Sequence, residues 1–209
     1  VKLTNLVTME GSLFNALRAK RPMEMRERTS LEEIIEGSEG DQFCKPLEKT
    51  PEDIFGRVIG KSCVTASNVA KYDGFHGIII FNEHDPLLIT EEGVADRIEV
   101  ALEWAKKAQQ AESEYRNFFL MWNCLWRSGA SIIHGHMQMT LSRGMHYAKI
   151  EALRRAARSY ELTNGSNYFE DLYEIHREMG LGLEVEGTKI IAYLTPIKEK
   201  EVMIIARAL

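Results

Sequence analysis

The stretch GASIIHGHMQM, residues 129–139, sets His134, His136 and Gln138 at every second position, with only Gly135 and Met137 between them. A period of two is the repeat of a β-strand. On an extended backbone the three polar side chains leave one face, while Ile133, Gly135, Met137 and Met139 leave the other. One face is chemical and the other is packing. Gly135 has no side chain, so another backbone or a bulky group can approach closely there, at some cost to the strand. The spacing by itself serves equally a catalytic face on a rigid element, half of a metal site, or an exposed polar stripe.

Working outward, FFLMWN (118–123) reads as a strand, joined to the histidine segment by the turn-like RSGAS (127–131). Upstream, RVIGKSCVTAS (57–67) and HGIIIF (76–81) are apolar and β-branched runs that predict neighbouring antiparallel strands. Between them and 118–123 the period changes. From Thr90, an N-cap residue type, TEEGVADRIEVALEWAKKAQQAE keeps apolar residues at 94, 98, 101, 102 and 105, which is helical spacing. Downstream, YAKIEALRRAARSYEL and YFEDLYEIHREM predict amphipathic helices on either side of the breaker TNGSN. LGLEVE, KIIAYLTP and EVMIIARA then predict three short strands, with turns EGT and IKEKE. At the other end, LFNALRAK (13–20) reads as a short helix and EGSEGDQFCKPLEKTPED (36–53) as a loop. Strands, long helix, strands, helices, strands: the order is that of an α+β protein with an antiparallel sheet.

The chain of 209 residues suffices for one large domain, or one domain and part of another. Apolar residues make up 44% and charged residues 27%, which excludes a disordered chain. With 26 basic against 31 acidic residues the net charge is −5, which argues against a protein that grips nucleic-acid backbone. Local basic groups such as RRAARS (154–159) could still meet a phosphate. Cys44, Cys63 and Cys124 are too few and too scattered for a disulfide framework, and their odd number suits a reducing cytoplasm. No apolar run approaches the ~18 residues needed to cross a bilayer, and no charged-then-apolar leader opens the chain. The numbering opens at Val1 rather than Met, as it would inside a longer product.

NCLWRSGASIIHGHMQM (123–139) resembles the active-site segment of the histidine-triad superfamily, in its galactose-1-phosphate uridylyltransferase-like branch. That branch carries a Gly-Ala-Ser-x-x-His-x-His-x-Gln pattern, which Gly129, Ala130, Ser131, His134, His136 and Gln138 match in register. HGIIIFNEHDP (76–86) resembles the strand leading to the family's metal-ligand histidine, here His84. DQFCKPLEKTPED (41–53) resembles its Cys-x-x-Cys segment followed by Thr-Pro. The resemblance covers residues 41 to 205, with two departures. The residue between the histidines, usually proline, is Gly135; the first cysteine is replaced by Asp41, leaving Cys44.

The resemblance implies a histidine-triad-like antiparallel sheet with flanking helices and an incomplete second repeat. Residues 1–145 would form the catalytic half with an N-terminal extension, and 146–209 a partial repeat lacking a second alternating-histidine motif. It implies that His136 attacks the α-phosphorus of a nucleoside diphosphate compound, with a nearby backbone carbonyl fixing its tautomer. Gln138 would donate an amide hydrogen to a phosphoryl oxygen. Ser131 and the amides around Gly129 would hold phosphate, and Asn68 resembles a nucleotide-contacting asparagine. Asp41, Cys44, His84 and His134 would be a chemically possible tetrahedral zinc set, since zinc accepts carboxylate, thiolate and imidazole. Members with histidine at the position of Gln138 are mostly hydrolases and those with glutamine mostly transferases or phosphorylases. The expected function is therefore nucleotidyl transfer between a nucleotide sugar and a phosphorylated acceptor. The alternatives are a dinucleoside polyphosphate or nucleotide-sugar phosphorylase or hydrolase, and a non-catalytic nucleotide- or metal-binding module. A homodimer is a further expectation by analogy. His76, His146 and His176 read as structural or solvated, and Trp104, Trp122 and Trp126 as core and interface mass.

Overall fold

A computed structural model describes residues 2–4, 11–13, 15, 30–193 and 200–206. It divides into two compact units, Val1–Ala148 and Lys149–Leu209.

The first unit is built on a four-stranded antiparallel sheet. β1 (Lys2–Thr4) and β2 (Gly11–Leu13) pair separately as a small ribbon. The main sheet holds β3 (Cys63–Ser67), β4 (Phe75–Phe81), β5 (Tyr115–Met121) and β6 (His136–Arg143) in the order β3-β4-β6-β5. The histidine segment thus leads into a central strand, with β4 on one side and β5 on the other. In the β4–β6 register Ile80 faces His136, Ile78 faces Gln138 and His76 faces Thr140, so these six residues share one face.

The other face carries the main core. Phe75, Ile79, Phe81, Met137, Met139 and Leu141 pack against Val100, Ala101, Trp104 and Ala108 of α3, which spans Glu91–Ala111. The helix starts at Thr90, whose side chain accepts from Gly93 N–H, as its residue type predicts. Trp104 is fully buried and donates its indole N–H to Asp53 at 2.7 Å, so the apolar bulk is covered and the polar atom is satisfied. Truncating it to alanine would cost on the order of 3–5 kcal/mol.

Two sequence expectations are corrected here. The predicted strand 57–67 forms only over Cys63–Ser67. Asp96 of α3 takes the N–H groups of Lys61 and Ser62 at 3.0 and 2.7 Å, and this capture replaces strand pairing with a turn. The segment 36–53, read as a loop, carries ordered turns. α1 (Leu31–Glu36) is closed at its start by a Ser30–Glu33 capping box. A 3-10 turn follows over Gln42–Cys44, then the single-turn α2 (Pro46–Lys49) with proline in its first turn. Arg57 ties this region down, donating to Thr50 Oγ1 at 3.2 Å and to Thr65 O at 2.8 Å. The short helix expected at 13–20 and the IKEKE turn lie largely outside the described residues.

The second unit holds α4 (Ala148–Asn164, whose first residue belongs to the first unit) and α5 (Tyr168–Glu178). They are followed by the antiparallel strands β7 (Gly182–Val185), β8 (Thr188–Ala192) and β9 (Val202–Ile205). The Tyr160 hydroxyl donates to Asp171 at 2.9 Å across the two helices, and His176 stacks on Tyr193. His176 is buried, with its Nδ1 2.7 Å from Leu172 O, which fits the structural reading of that residue.

Candidate functional site

The strand begins at His136, one residue pair later than the alternating pattern suggested, and His134 stands just before it. That offset separates the two histidines chemically. His134 turns to a cluster formed with Asp41, Cys44 and His84, whose candidate ligand atoms all lie within 4.8 Å of one another.

The cluster is assembled by local structure. Asp41 caps the 3-10 turn, its Oδ1 accepting from Phe43 N–H at 2.7 Å and Cys44 N–H at 3.2 Å. Gly40 N–H points at Cys44 Sγ, 3.3 Å away. His84 follows the end of β4, where its Nε2 lies 3.0 Å from Ile35 O and 2.9 Å from Ser38 Oγ. His134 Nε2 lies 2.8 Å from Phe81 O. These carbonyls can only accept, so each ring carries its proton on Nε2 and a lone pair on Nδ1. The two Nδ1 atoms nevertheless sit 3.1 Å apart, with Cys44 Sγ 3.4 Å from one and 3.5 Å from the other. Asp41 Oδ1 is 3.8 Å from His134 Nδ1, and Asp41 Oδ2 is buried with no hydrogen-bond partner among the described residues. Burial pushes His134 below the usual imidazole range, which keeps it a neutral ligand type.

Converging lone pairs and a buried carboxylate oxygen repel unless a cation stands between them. Bonds of about 2.0–2.3 Å in a tetrahedron space ligand atoms by about 3.3–3.8 Å, and the donor pairs given above lie at 3.1–3.8 Å, near that spacing. The donor set of one thiolate, two imidazoles and one carboxylate fits zinc.

His136 faces the other way. Its Nδ1 donates to His134 O at 2.8 Å, so Nε2 carries the lone pair. This is the backbone acceptor expected from the sequence. Phe43, from the same turn as Cys44, lays its ring edge-on at 5.2 Å from the His136 ring and 6.1 Å from that of His134. Gln138 lies two residues on along the same face, and its Oε1 is 3.0 Å from His76 Nε2. Asn68 Nδ2 is 2.9 Å from the same nitrogen, while Asn68 Oδ1 accepts from Ala70 N–H at 2.9 Å. Asn68, expected at the nucleotide, is only 2% exposed, and both ends of its amide are engaged behind Gln138.

The turn before the strand is tighter than the sequence implied. Gly129 has φ +97°, a left-handed conformation that favours glycine. Its N–H donates to Trp126 O at 2.9 Å and that of Ala130 to Leu125 O at 3.1 Å. Those two amides therefore hold the turn, and Ser131 is exposed, as are Arg127 and Ser128. Gly135 is explained by packing: a Cβ there would come within 2.3 Å of Phe81 Cδ2. Its N–H also donates to His84 O at 3.1 Å, a bond proline cannot make.

Sequence reasoning missed two residues. Phe43 carried no signal, since its contacts span ninety residues of chain. His76 alternates with Ile78 and Ile80, and that period could have placed it on the face of Gln138.

No family model matches the sequence, and no curated protein matches it. Solved structures do. A uridylyltransferase superimposes over 96% of this chain and 64% of its own, with a TM-score of 0.64 at 15% identity. A galt-like protein from Arabidopsis thaliana aligns over 92% and 62%, with a TM-score of 0.54 at 15% identity. An ADP-glucose phosphorylase from Arabidopsis thaliana, solved with ADP-glucose bound, aligns over 92% and 63%, with a TM-score of 0.53 at 14% identity. The chain thus spans less than two thirds of the length of each. What is shared at these identities is architecture: the chain has the α+β fold of these uridylyltransferase-like structures, an antiparallel sheet with flanking helices.

Proposed function

We propose that this chain carries a nucleotidyl-transfer site with His136 as nucleophile. The observation that carries the reading is the 2.8 Å bond from His136 Nδ1–H to the carbonyl of His134. It leaves the lone pair on Nε2 and stabilises the positive charge that the ring acquires on attack. In the first step Nε2 bonds to the α-phosphorus of a nucleoside diphosphate sugar while the bond from that phosphorus to the bridging oxygen breaks, and the sugar phosphate leaves. In the second, a phosphate oxygen of the acceptor bonds to phosphorus, the N–P bond breaks, and the imidazole returns to its neutral form. Gln138 donates to a phosphoryl oxygen as charge builds there. It has no acidic proton to deliver to a leaving group, which favours phosphate leaving groups over poorer ones. Ser131 would receive a phosphate, since the Gly129 and Ala130 N–H groups are spent within the turn.

Asp41, Cys44, His84 and His134 would hold zinc with all four positions filled by protein. Such an ion supplies rigidity rather than a Lewis acid. By fixing His134 it would fix the carbonyl that orients His136.

The phosphorylase neighbour supports inorganic phosphate as an alternative acceptor at the same site. The test is incubation with UDP-glucose, ADP-glucose or a dinucleoside polyphosphate, each labelled at the α-phosphorus. Base quench should preserve an acid-labile label on wild type and none on His136→Ala. Release by a sugar phosphate indicates transfer, by inorganic phosphate phosphorolysis, and by water hydrolysis. Wild type that takes no label from any donor would reduce the site to a binding module.

A further inference from the structure

The hydrogen-bond logic around His76 reaches beyond this reading, on which it rests. Asn68 is locked in orientation, because Oδ1 accepts from Ala70 N–H at 2.9 Å and Nδ2 must therefore face His76 Nε2 at 2.9 Å. Gln138 Oε1 faces the same nitrogen at 3.0 Å. One ring nitrogen thus has a donor on one side and an acceptor on the other. All three residues are buried, and Tyr72 lies over the imidazole at 4.2 Å, so the ring is held in place.

The two demands on Nε2 are incompatible with a single proton state. When Nε2 carries the proton it donates to Gln138 Oε1, and the amide nitrogen of Gln138 is the end directed away from His76. When Nε2 carries the lone pair it accepts from Asn68. Gln138 is then better placed with its amide reversed, nitrogen toward His76 and oxygen outward. The first arrangement offers an incoming phosphate a donor; the second offers it an acceptor, which repels it. We propose that His76 is a positioning residue that selects which end of the Gln138 amide meets the phosphoryl group, with Asn68 as the opposing contact that makes the selection necessary. The arrangement in the structure, with Oε1 on His76, is the donor-presenting one.

A glutamine at position 76 can serve both neighbours at once, its oxygen accepting from Asn68 and its nitrogen donating to Gln138. Leucine can serve neither. The experiment is the single-turnover rate of nucleotidyl-His136 formation in wild type, His76→Gln, His76→Leu, Gln138→Ala and the double variant His76→Leu with Gln138→Ala. His76→Gln should hold within about threefold of wild type. His76→Leu should lose about tenfold or more, short of the 10²–10³ that a deleted oxyanion donor costs, with donor KM little changed. In the Gln138→Ala background the leucine substitution should cost almost nothing further, because the amide it orients is gone. Equal losses from His76→Leu in both backgrounds, or a His76→Gln variant as slow as His76→Leu, would overturn the proposal. If His76→Leu does not fold by circular dichroism, His76→Asn, too short to reach Gln138, replaces it in the cycle. Failure of wild type to take label is a separate result and counts against the nucleotidyl-transfer reading itself.

Discussion

His84 and His134, fifty residues apart in the chain, bring their Nδ1 atoms to 3.1 Å while each Nε2 is committed to a backbone carbonyl. The arrangement is stable only with a positive charge between the rings. We therefore expect protein purified without chelator to hold about one equivalent of zinc. Loss of the groups that hydrogen-bond to metal ligands alone weakens zinc sites by about 10–100-fold, so Cys44→Ser, which removes a ligand itself, should weaken binding by at least about a hundredfold. Asp41→Cys should tighten it, since a soft thiolate replaces a carboxylate whose Oδ1 is already engaged by two backbone N–H groups. Metal analysis and competition with a chromophoric chelator read both. Less than a tenth of an equivalent in wild type would remove the metal site.

How much of this was legible beforehand divides by the range of the interactions. The long helix from Thr90 announces itself through a local cap and a local period, and β4, β5 and β6 through runs of apolar residues. The ordered turns of 36–53 do not, because Arg57 and the contacts of Phe43 with distant histidines hold them. The lost half of the 57–67 strand has the same cause: Asp96, some thirty-five residues on, takes its N–H groups. At the site, the pair His136 and Gln138 is readable from spacing. Their partner His76 is readable only in part: its period with Ile78 and Ile80 gives it a face, but its place beside Gln138 depends on a register between neighbouring strands that the folded sheet fixes.

Gly135 and Phe81 fill one volume between them, which makes the family's usual proline unsuitable here. Gly135→Ala should destabilise by about 1–3 kcal/mol through overpacking against the Phe81 ring. Gly135→Pro should cost roughly 1 kcal/mol more, because the bond to His84 O is lost. Combining Gly135→Pro with Phe81→Leu should recover part of the loss. Urea unfolding of wild type, Gly135→Pro, Phe81→Leu and the double variant measures the coupling, and strictly additive effects would contradict the shared-volume account.

Asp96 gives the fold an acid limb. Partial burial pushes its carboxyl up, but donors from Lys61 N–H, Ser62 N–H and the Ser62 hydroxyl outweigh this and hold it at about 2, against an ordinary 3.8. A group whose folded pKa is depressed stabilises fully above its unfolded value and loses that contribution as pH falls toward the folded one. Wild type should therefore lose stability between pH 4 and pH 2 more steeply than Asp96→Asn. Chemical denaturation across that range compares the slopes, and parallel profiles would rule Asp96 out as the source.

Among the described residues, Arg97 is a buried cation with little to compensate its burial. It is 2% exposed, and its Nε and Nη1 have no acceptor among the described residues. Its guanidinium carbon lies 3.6 Å from the centre of the Phe81 ring. Burial pulls its pKa down, opposed by the nearby carboxylates of Asp96 and Glu83. A desolvated cation–π contact is worth about 2 kcal/mol, whereas the effective penalty for burying a charge is several kcal/mol. Methionine matches the length of the stem, packs well on an aromatic ring and leaves no donor unsatisfied. Arg97→Met should accordingly raise the midpoint of thermal unfolding, through a stabilisation of the roughly 1–4 kcal/mol seen when buried ionic groups are replaced by hydrophobic ones. Arg97→Lys should lower it, since the charge stays and the planar stacking is lost. If instead methionine destabilises as much as lysine, the guanidinium is paired in solution, and the account of Phe81 as its main contact fails.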